Sequence, residues 1–346
     1  MQMLAVHTTA KRTLSFDDVP PPRLSPGRAL VRVHAVSLCG TDLHIFEDRY
    51  PTTLPLVQGH ELTGTVIEAD PADRVRAGDR VAIDPLVACG ACAACRGGHA
   101  NVCQNLSVLG CYQDGGLTEV LSVGVDRLHA VPDDLPLDLA ALGEPTSIAM
   151  QAVSRAEPTP GDVVLVLGCG PIGLLATLSL SERGVTVVAA DIDPQRAALA
   201  PVFGAAHALS VDRDFPDGAG GLLLDGLTEG AGPRLIIEAT GVPASLQNAI
   251  RLIAPAGRIV QVGISAGHAE IRIKDLTDKE IELRGSRNSR GLIPEALALL
   301  GRHREAAQRL VTHRFPLTRL AEAFDTMADP GVLTEKIIID VERSGR

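Results

Sequence analysis

Tryptophan is absent from the 346 residues, tyrosine occurs twice, and aromatics make up 2% of the chain. A core without large rings has to be built from Val, Ile, Leu and Ala, and the 45% hydrophobic and 21% charged content is that of a globular protein. Positive charge is also scarce: the formal net charge of −10 argues against a nucleic-acid or anionic-membrane partner, so any anionic ligand would need a local cluster of arginines. Met1 to Pro20 holds no apolar stretch followed by a small-residue cleavage site, so no signal peptide is read and the cytoplasm is the expected compartment. One apolar run, Val163 to Leu180, is long enough to suggest a membrane helix, but Gly168, Gly170, Pro171 and Gly173 interrupt its centre. A strand, a tight turn and a buried helix explain it better. Cysteines are few and odd in number, seven, and four fall in one short loop, which favours metal thiolates over disulfides.

A chain of this length exceeds one usual core, so two domains are expected. Val31-Arg32-Val33-His34-Ala35 alternates as a half-buried strand does, and Leu62 to Ala69 and Arg80 to Ile83 are apolar and β-branched. This first part reads as an irregular β domain carrying candidate ligands on loops. The texture changes near Pro158-Thr159-Pro160-Gly161. Strands are then expected at Val163 to Leu167, Val185 to Ala190, Leu235 to Ala239 and Arg258 to Val262. Helices are expected at Ile172 to Arg183, Pro194 to Phe203 and Ala244 to Ile253. Such alternation implies right-handed βαβ units and a parallel sheet covered on both faces. Amphipathic helices near Pro294 to Leu300 and Leu317 to Met327 and a strand from Lys336 to Val341 complete the chain.

Gly168-Cys169-Gly170-Pro171-Ile172-Gly173 follows the first of these strands and opens a helix, and Asp191 stands 18 residues beyond Gly173 at the end of the next strand. A glycine triplet alone is weak, but this context is that of a dinucleotide loop. Gly168 permits the tight turn, Gly170 lets the backbone approach a pyrophosphate, and Gly173 lets the helix pack on the strand. The helix N-terminus, at Pro171 and Ile172, supplies unpaired N–H groups for phosphates. Asp191 would accept from the ribose hydroxyls and repel a 2′-phosphate, favouring NAD over NADP; alternatively it caps the helix at Pro194. Arg196 pulls the other way, because an arginine there can receive a 2′-phosphate. Cys169 is read as a small space-filling residue.

Cys89, Cys92, Cys95 and Cys103 form a C-x2-C-x2-C-x7-C run that fills all four positions of a tetrahedral zinc. Such a zinc stabilises the fold and performs no chemistry. A second, open site needs fewer protein ligands: Cys39 after a strand and His60 in a glycine-preceded turn supply a thiolate and an imidazole. Glu61 and Glu144 are both candidates for the completing carboxylate. Zinc at such a site acidifies an alcohol, whose carbon can then pass hydride to nicotinamide. Thr41 is placed to take the alcohol proton and His44 to pass it towards solvent; the plain alternatives are a strand-end hydrogen bond and a surface histidine.

Cys39-Gly40-Thr41-Asp42-Leu43-His44, Gly59-His60-Glu61, the cysteine lobe, Gly143-Glu144-Pro145 and the glycine loop together resemble, in order and spacing, the zinc-dependent medium-chain alcohol dehydrogenases. The likeness covers essentially the whole chain. Glu144-Pro145, where other members have cysteine, resembles the polyol, sorbitol and L-threonine dehydrogenase branch. The resemblance implies an α/β protein with a GroES-like catalytic domain over residues 1–150, including a zinc lobe at about 85–110. It implies a Rossmann doubly wound parallel sheet over 151–287 that binds NAD, and a return to the catalytic domain over 288–346. It further implies two zinc ions per chain, Asp42 supporting the ligands, Glu61 and Glu144 exchanging on the catalytic zinc, and Val262, Ser286 and Asn288 beside the cofactor. The activity implied is oxidation of a secondary alcohol to a ketone in a homodimer or homotetramer. Gln113-Asp114-Gly115-Gly116, Gly285-Ser286-Arg287-Asn288 and Thr312-His313-Arg314-Phe315-Pro316 resemble sugar-acid dehydrogenases such as the L-galactonate and L-gulonate 5-dehydrogenases. Arg287 or Arg290 would then meet a substrate carboxylate. Cys111-Tyr112 and Ser289-Arg290-Gly291 depart from that pattern, leaving (amino)cyclitols, L-threonine or other polyols as alternatives. A zinc-free quinone or enoyl reductase would have no use for either set of ligands, and a non-catalytic NAD-binding protein would be expected to have lost some of them.

Overall fold

The computed structural model describes residues 2–212 and 215–341. The chain divides into two compact units, one made of residues 1–144 with 290–346 and one of residues 145–289.

In the first unit the strand Arg28–Ser37 is the organiser. Along it, Val31 and Val33 are fully buried at alternate positions, and Val36 is buried beyond a register shift between Val33 and Ala35. It pairs antiparallel with Glu61–Ala69, which pairs in turn with Arg80–Ile83 and then Leu128–Ala130. On its other side lies Lys336–Asp340, itself parallel to Val311–Pro316. The last strand of the chain is therefore hydrogen-bonded to one of the first. A hairpin of Met3–Ala10 and Thr13–Val19 adds a smaller sheet, and Val, Leu and Ile from these strands, with Phe315 from Val311–Pro316, meet Phe46 and Phe324 in one core.

The second unit is a six-stranded parallel sheet. Its order is His207–Ser210, Thr186–Asp191, Val163–Leu167, Leu235–Glu238, Arg258–Gln261, Glu282–Gly285. The order reverses after Val163–Leu167, which is where doubly wound sheets open to receive a ligand at their carboxyl ends. Helices Pro171–Ser181 and Pro243–Leu252 pack on it.

Two expected helices are broken. Pro194 to Phe203 is a four-residue helix, Pro194–Ala197, and then a 3-10 turn, Ala200–Phe203, because Pro201 has no N–H to continue the ladder. Leu317 to Met327 is likewise a 3-10 turn, Leu317–Arg319, leading into the helix Leu320–Ala328. No helix among the described residues is long and apolar enough to cross a membrane; the run from Val163 is a strand, a turn and a helix.

Candidate metal centres and nucleotide loop

The strand Arg28–Ser37 delivers the chain to Cys39, and the helix Gly40–Phe46 starts directly after it. Asp42, in the first turn and fully buried, accepts from the Cys39 N–H at 2.9 Å through Oδ2. Through Oδ1 it accepts from the Gly59 N–H at 3.2 Å and Gln58 Nε2 at 3.4 Å, and it lies 3.7 Å from His60 Nδ1. One carboxylate thus ties the Cys39 turn to the His60 turn. Glu61 begins the neighbouring strand opposite Ser37. Ligand atoms of Cys39, His60 and Glu61 lie within 4.8 Å of one another. Of these, His60 and Glu61 are buried. On the same short helix Thr41 is half-buried and His44 exposed.

Two partners of this trio carry no sequence signal of their own. Lys336, 3% exposed, sets its Nζ 2.5 Å from Glu61 Oε1, while Glu61 Oε2 is buried with no hydrogen-bond partner. The Cys111 thiol, buried, lies 3.8 Å from His60 Nδ1; sequence reading marked Cys111 only as a departure from a pattern. Burial alone would push His60 down, but Asp42 and Cys111 beside it hold it well above its usual value. Glu144, in the first turn of the helix Gly143–Ala156, lies outside the 4.8 Å cluster. Burial pushes its carboxyl up to about 8, with His60 pulling down, Glu61 pushing further up and Lys336 pulling down. A thiol, an imidazole and a carboxylate oxygen lacking any other partner are a donor set that suits zinc, with a coordination position to spare.

Cys89, Cys92, Cys95 and Cys103 form a second cluster within 4.8 Å. Cys92 Sγ lies 3.4 Å from Cys95 Sγ and 3.8 Å from Cys103 Sγ, and Cys103 Sγ lies 3.4 Å from Cys89 Sγ. These separations are far too long for disulfides. They approach the edge of about 3.8 Å that a tetrahedron of sulfurs has around zinc at a bond length of about 2.3 Å. The N–H groups of Gln104 and Cys95 pull the Cys92 thiol down to about 6, whereas desolvation and the neighbouring thiols push Cys95 up to about 12. Four thiolates this close need a cation between them.

In the parallel sheet, Gly170 caps the helix Pro171–Ser181 just beyond the strand Val163–Leu167. Asp191 does not cap the next helix; Asp193 does, its Oδ1 accepting from the Gln195 N–H at 2.8 Å. Asp191 braces the glycine loop instead, Oδ2 accepting from the Cys169 N–H at 2.6 Å and Oδ1 from the Asp193 N–H at 2.9 Å. Cys169 is fully buried. The Arg196 guanidinium lies over Gly170, 3.3 Å from where a Cβ would stand. Sequence reading passed over Glu238, a fully buried carboxylate at a strand end. Its Oε2 accepts from the Gly241 N–H at 3.0 Å and from Gln261 Nε2 at 2.5 Å, and its backbone carbonyl accepts from the Val262 N–H at 2.9 Å. The Ser286 N–H donates to the Gln261 carbonyl at 2.8 Å, and Asn288 takes a left-handed φ of 51°. Arg287 is exposed. Arg290, also exposed, points its Nη1 at His99 Nδ1 in the cysteine lobe, 3.4 Å away.

Residues 25–133 match the alcohol dehydrogenase GroES-like domain, and residues 171–302 match zinc-binding dehydrogenase. The chain is 35% identical to D-altritol 5-dehydrogenase of Agrobacterium fabrum, over 96% of this chain and 98% of that protein. It is 35% identical to L-galactonate-5-dehydrogenase of Escherichia coli, over 89% of each. The crystal structure of a short chain alcohol dehydrogenase (rspB) from E. coli complexed with NADH superposes with a TM-score of 0.89, at 31% identity and over 98% of this chain and 99% of that one.

Proposed function

Because the chain belongs to the zinc-binding alcohol dehydrogenases, we propose that it interconverts a secondary alcohol of a polyol or sugar acid and the corresponding ketone, using NAD. The observation that carries this reading is the cluster of Cys39, His60 and Glu61, three unlike zinc donors drawn together from two strand ends, with one Glu61 oxygen left unpartnered. The relatives named for altritol and galactonate support the substrate class. When bound, zinc would supply Lewis acidity towards an alcohol and NAD a hydride acceptor.

The chain's own residues do the rest. Asp42 fixes the Cys39 and His60 turns, so neither ligand has to be ordered when metal arrives. Glu144 is a neutral acid below about pH 8, so beside Glu61 it adds no second buried negative charge until a cation joins them. Thr41 Oγ1 takes the alcohol proton and His44, exposed on the same helix, passes it to water. In residues 145–289, Gly168, Gly170 and Gly173 with the helix start at Pro171 and Ile172 receive the pyrophosphate. Asp191 meets the adenosine ribose, and the pocket lined by Ile192, Ser210, Val211 and Asp212 lies beside it. Val262, Ser286 and Asn288 complete the cofactor contacts. The cysteine lobe holds the structural zinc. We read the protein as a cytoplasmic homodimer or homotetramer with small-molecule partners.

Arg290 turns its Nη1 to His99; Arg287 and Arg290 are the two candidate partners for a substrate carboxylate. The test is NAD reduction against polyols, aldonates, inositols and L-threonine, with NADP in parallel. A sugar acid or polyol turned over with NAD is the expected outcome. Turnover with NADP alone would remove the role given to Asp191, and neutral polyols alone would remove that of Arg287 and Arg290.

A further inference from the structure

The strand Leu235–Glu238 ends on a carboxylate that is fully buried. Four neutral donors converge on it. Oε1 accepts from the Thr240 N–H at 2.9 Å and from the Thr240 hydroxyl, and Oε2 accepts from the Gly241 N–H at 3.0 Å and Gln261 Nε2 at 2.5 Å. Gln261 ends the neighbouring strand Arg258–Gln261; its Nε2 donates also to the Gly263 carbonyl at 2.8 Å, and its Oε1 is buried without a partner. The Val262 and Gly263 N–H groups both donate to the Glu238 backbone carbonyl at 2.9 Å. One residue therefore sets the course of both loops that leave these strands, by its side chain at residues 240 and 241 and by its backbone at 262 and 263.

Those loops are locked to each other and to the glycine turn. A Cβ on Gly263 would stand 2.1 Å from the Gly241 nitrogen, and a Cβ on Gly168 would stand 2.9 Å from the Thr240 methyl. The Ala239 N–H donates to the Leu167 carbonyl at 2.8 Å, just before Gly168. Next along the loops, Val242 is 52% and Ile264 83% exposed, so the network orders backbone whose outer side is open. In the sheet, Leu235–Glu238 and Arg258–Gln261 lie to one side of Val163–Leu167, and Thr186–Asp191 lies to the other. A dinucleotide bound across the switch point has one half over each side. Resting on the NAD reading above, in which Asp191 meets the adenosine half, we propose that Glu238 is a positioning residue for the nicotinamide half, acting through the turns at 239–242 and 262–264 on how Gly168 and Val262 are presented to the cofactor. A carboxylate has acceptor capacity for all four donors, whereas an amide would turn an NH2 group towards some of them. Loops ordered in advance cost less free energy to bind.

The test is binding of NADH and of 5′-AMP to the zinc-loaded protein, with NADH followed by its own fluorescence in a chain that has no tryptophan. Glu238→Gln should weaken NADH binding about tenfold and Gln261→Met about threefold, and both should leave 5′-AMP within about twofold, because the adenosine half lies across the switch point. A residue that merely held the sheet together would weaken both ligands alike. Equal losses for NADH and 5′-AMP, or no loss for NADH in either variant, would overturn the role. Should Glu238→Gln fail to fold, Gln261→Met leaves the carboxylate in place and decides by the same comparison. If the unaltered protein binds no NADH, the dinucleotide reading itself fails, and the role with it.

Discussion

Lys336 holds its charge where water does not reach, against Glu61 on one side and 3.3 Å from the Leu38 carbonyl on the other. Burial pulls its pKa down, but Glu61, Cys39 and Glu144 hold it above its ordinary range. Removing one partner of a buried pair costs about 3–5 kcal/mol, because the other charge is left uncompensated. Lys336→Met is therefore expected to lower unfolding stability by about that amount, and Lys336→Arg by less, measured by denaturant unfolding of the zinc-loaded protein. A loss below about 1 kcal/mol would mean that metal, not Lys336, balances Glu61. This partnership was not legible in the sequence. Lys336 stands 275 positions from Glu61, and the two meet only because their strands both pair with Arg28–Ser37. Register of that kind leaves no local trace. The lobe cysteines were legible because their spacings are short and local, and Cys39, His60 and Glu61 because they stand in short motifs of their own, although strand pairing is what brings the three together.

At the scale of elements, the strand, glycine turn and helix from Val163 to Ser181 make a sharper prediction than the motif did. A Cβ on Gly173 would stand 1.8 Å from the Gly168 carbonyl oxygen, which is backbone and cannot yield. A Cβ on Gly170 meets only the mobile end of Arg196. Gly173→Ala should thus lose about 1–3 kcal/mol, seen as a lowered melting temperature. Gly170→Ala should keep its stability within about 0.5 kcal/mol while raising the KM for NAD roughly tenfold, because the added methyl stands where a pyrophosphate would approach. An unchanged KM would show that phosphate does not use this loop. Buried elements were the readable ones: Val163–Leu167 and Arg80–Ile83 have the bounds that their apolar runs suggest. The strand Glu282–Gly285 was not read, for a physical reason. It is the sheet edge, Leu283 is 43% exposed, and Glu282 and Arg284 spend their charges on a lattice with Glu157 and Arg258 instead of showing an apolar face.

For the molecule as a whole, the function proposed above divides the work between the two cysteine-containing clusters, chemistry at one and folding at the other, and the division can be tested by removing one thiol from each. The lobe has little core of its own: its helix Ala93–Arg96 buries no residue, and Cys89 is exposed. Metal is then what closes it, and the free energy of binding is free energy of folding. Around Cys39, by contrast, Asp42 already fixes the turn, and the sheet of Arg28–Ser37 packs on a continuous apolar core without help from metal. The purified protein should hold about two zinc ions per chain. Cys39→Ser should lose about one of them and its turnover while melting close to the unaltered protein. Cys92→Ser should also lose about one zinc, but with a markedly lowered melting temperature and early proteolysis within residues 85–110. Metal analysis, melting and limited digestion of the two variants decide the matter. Equal losses of stability would mean that the Cys39 cluster, too, depends on its ion to fold, and that Asp42 does not preorganise it.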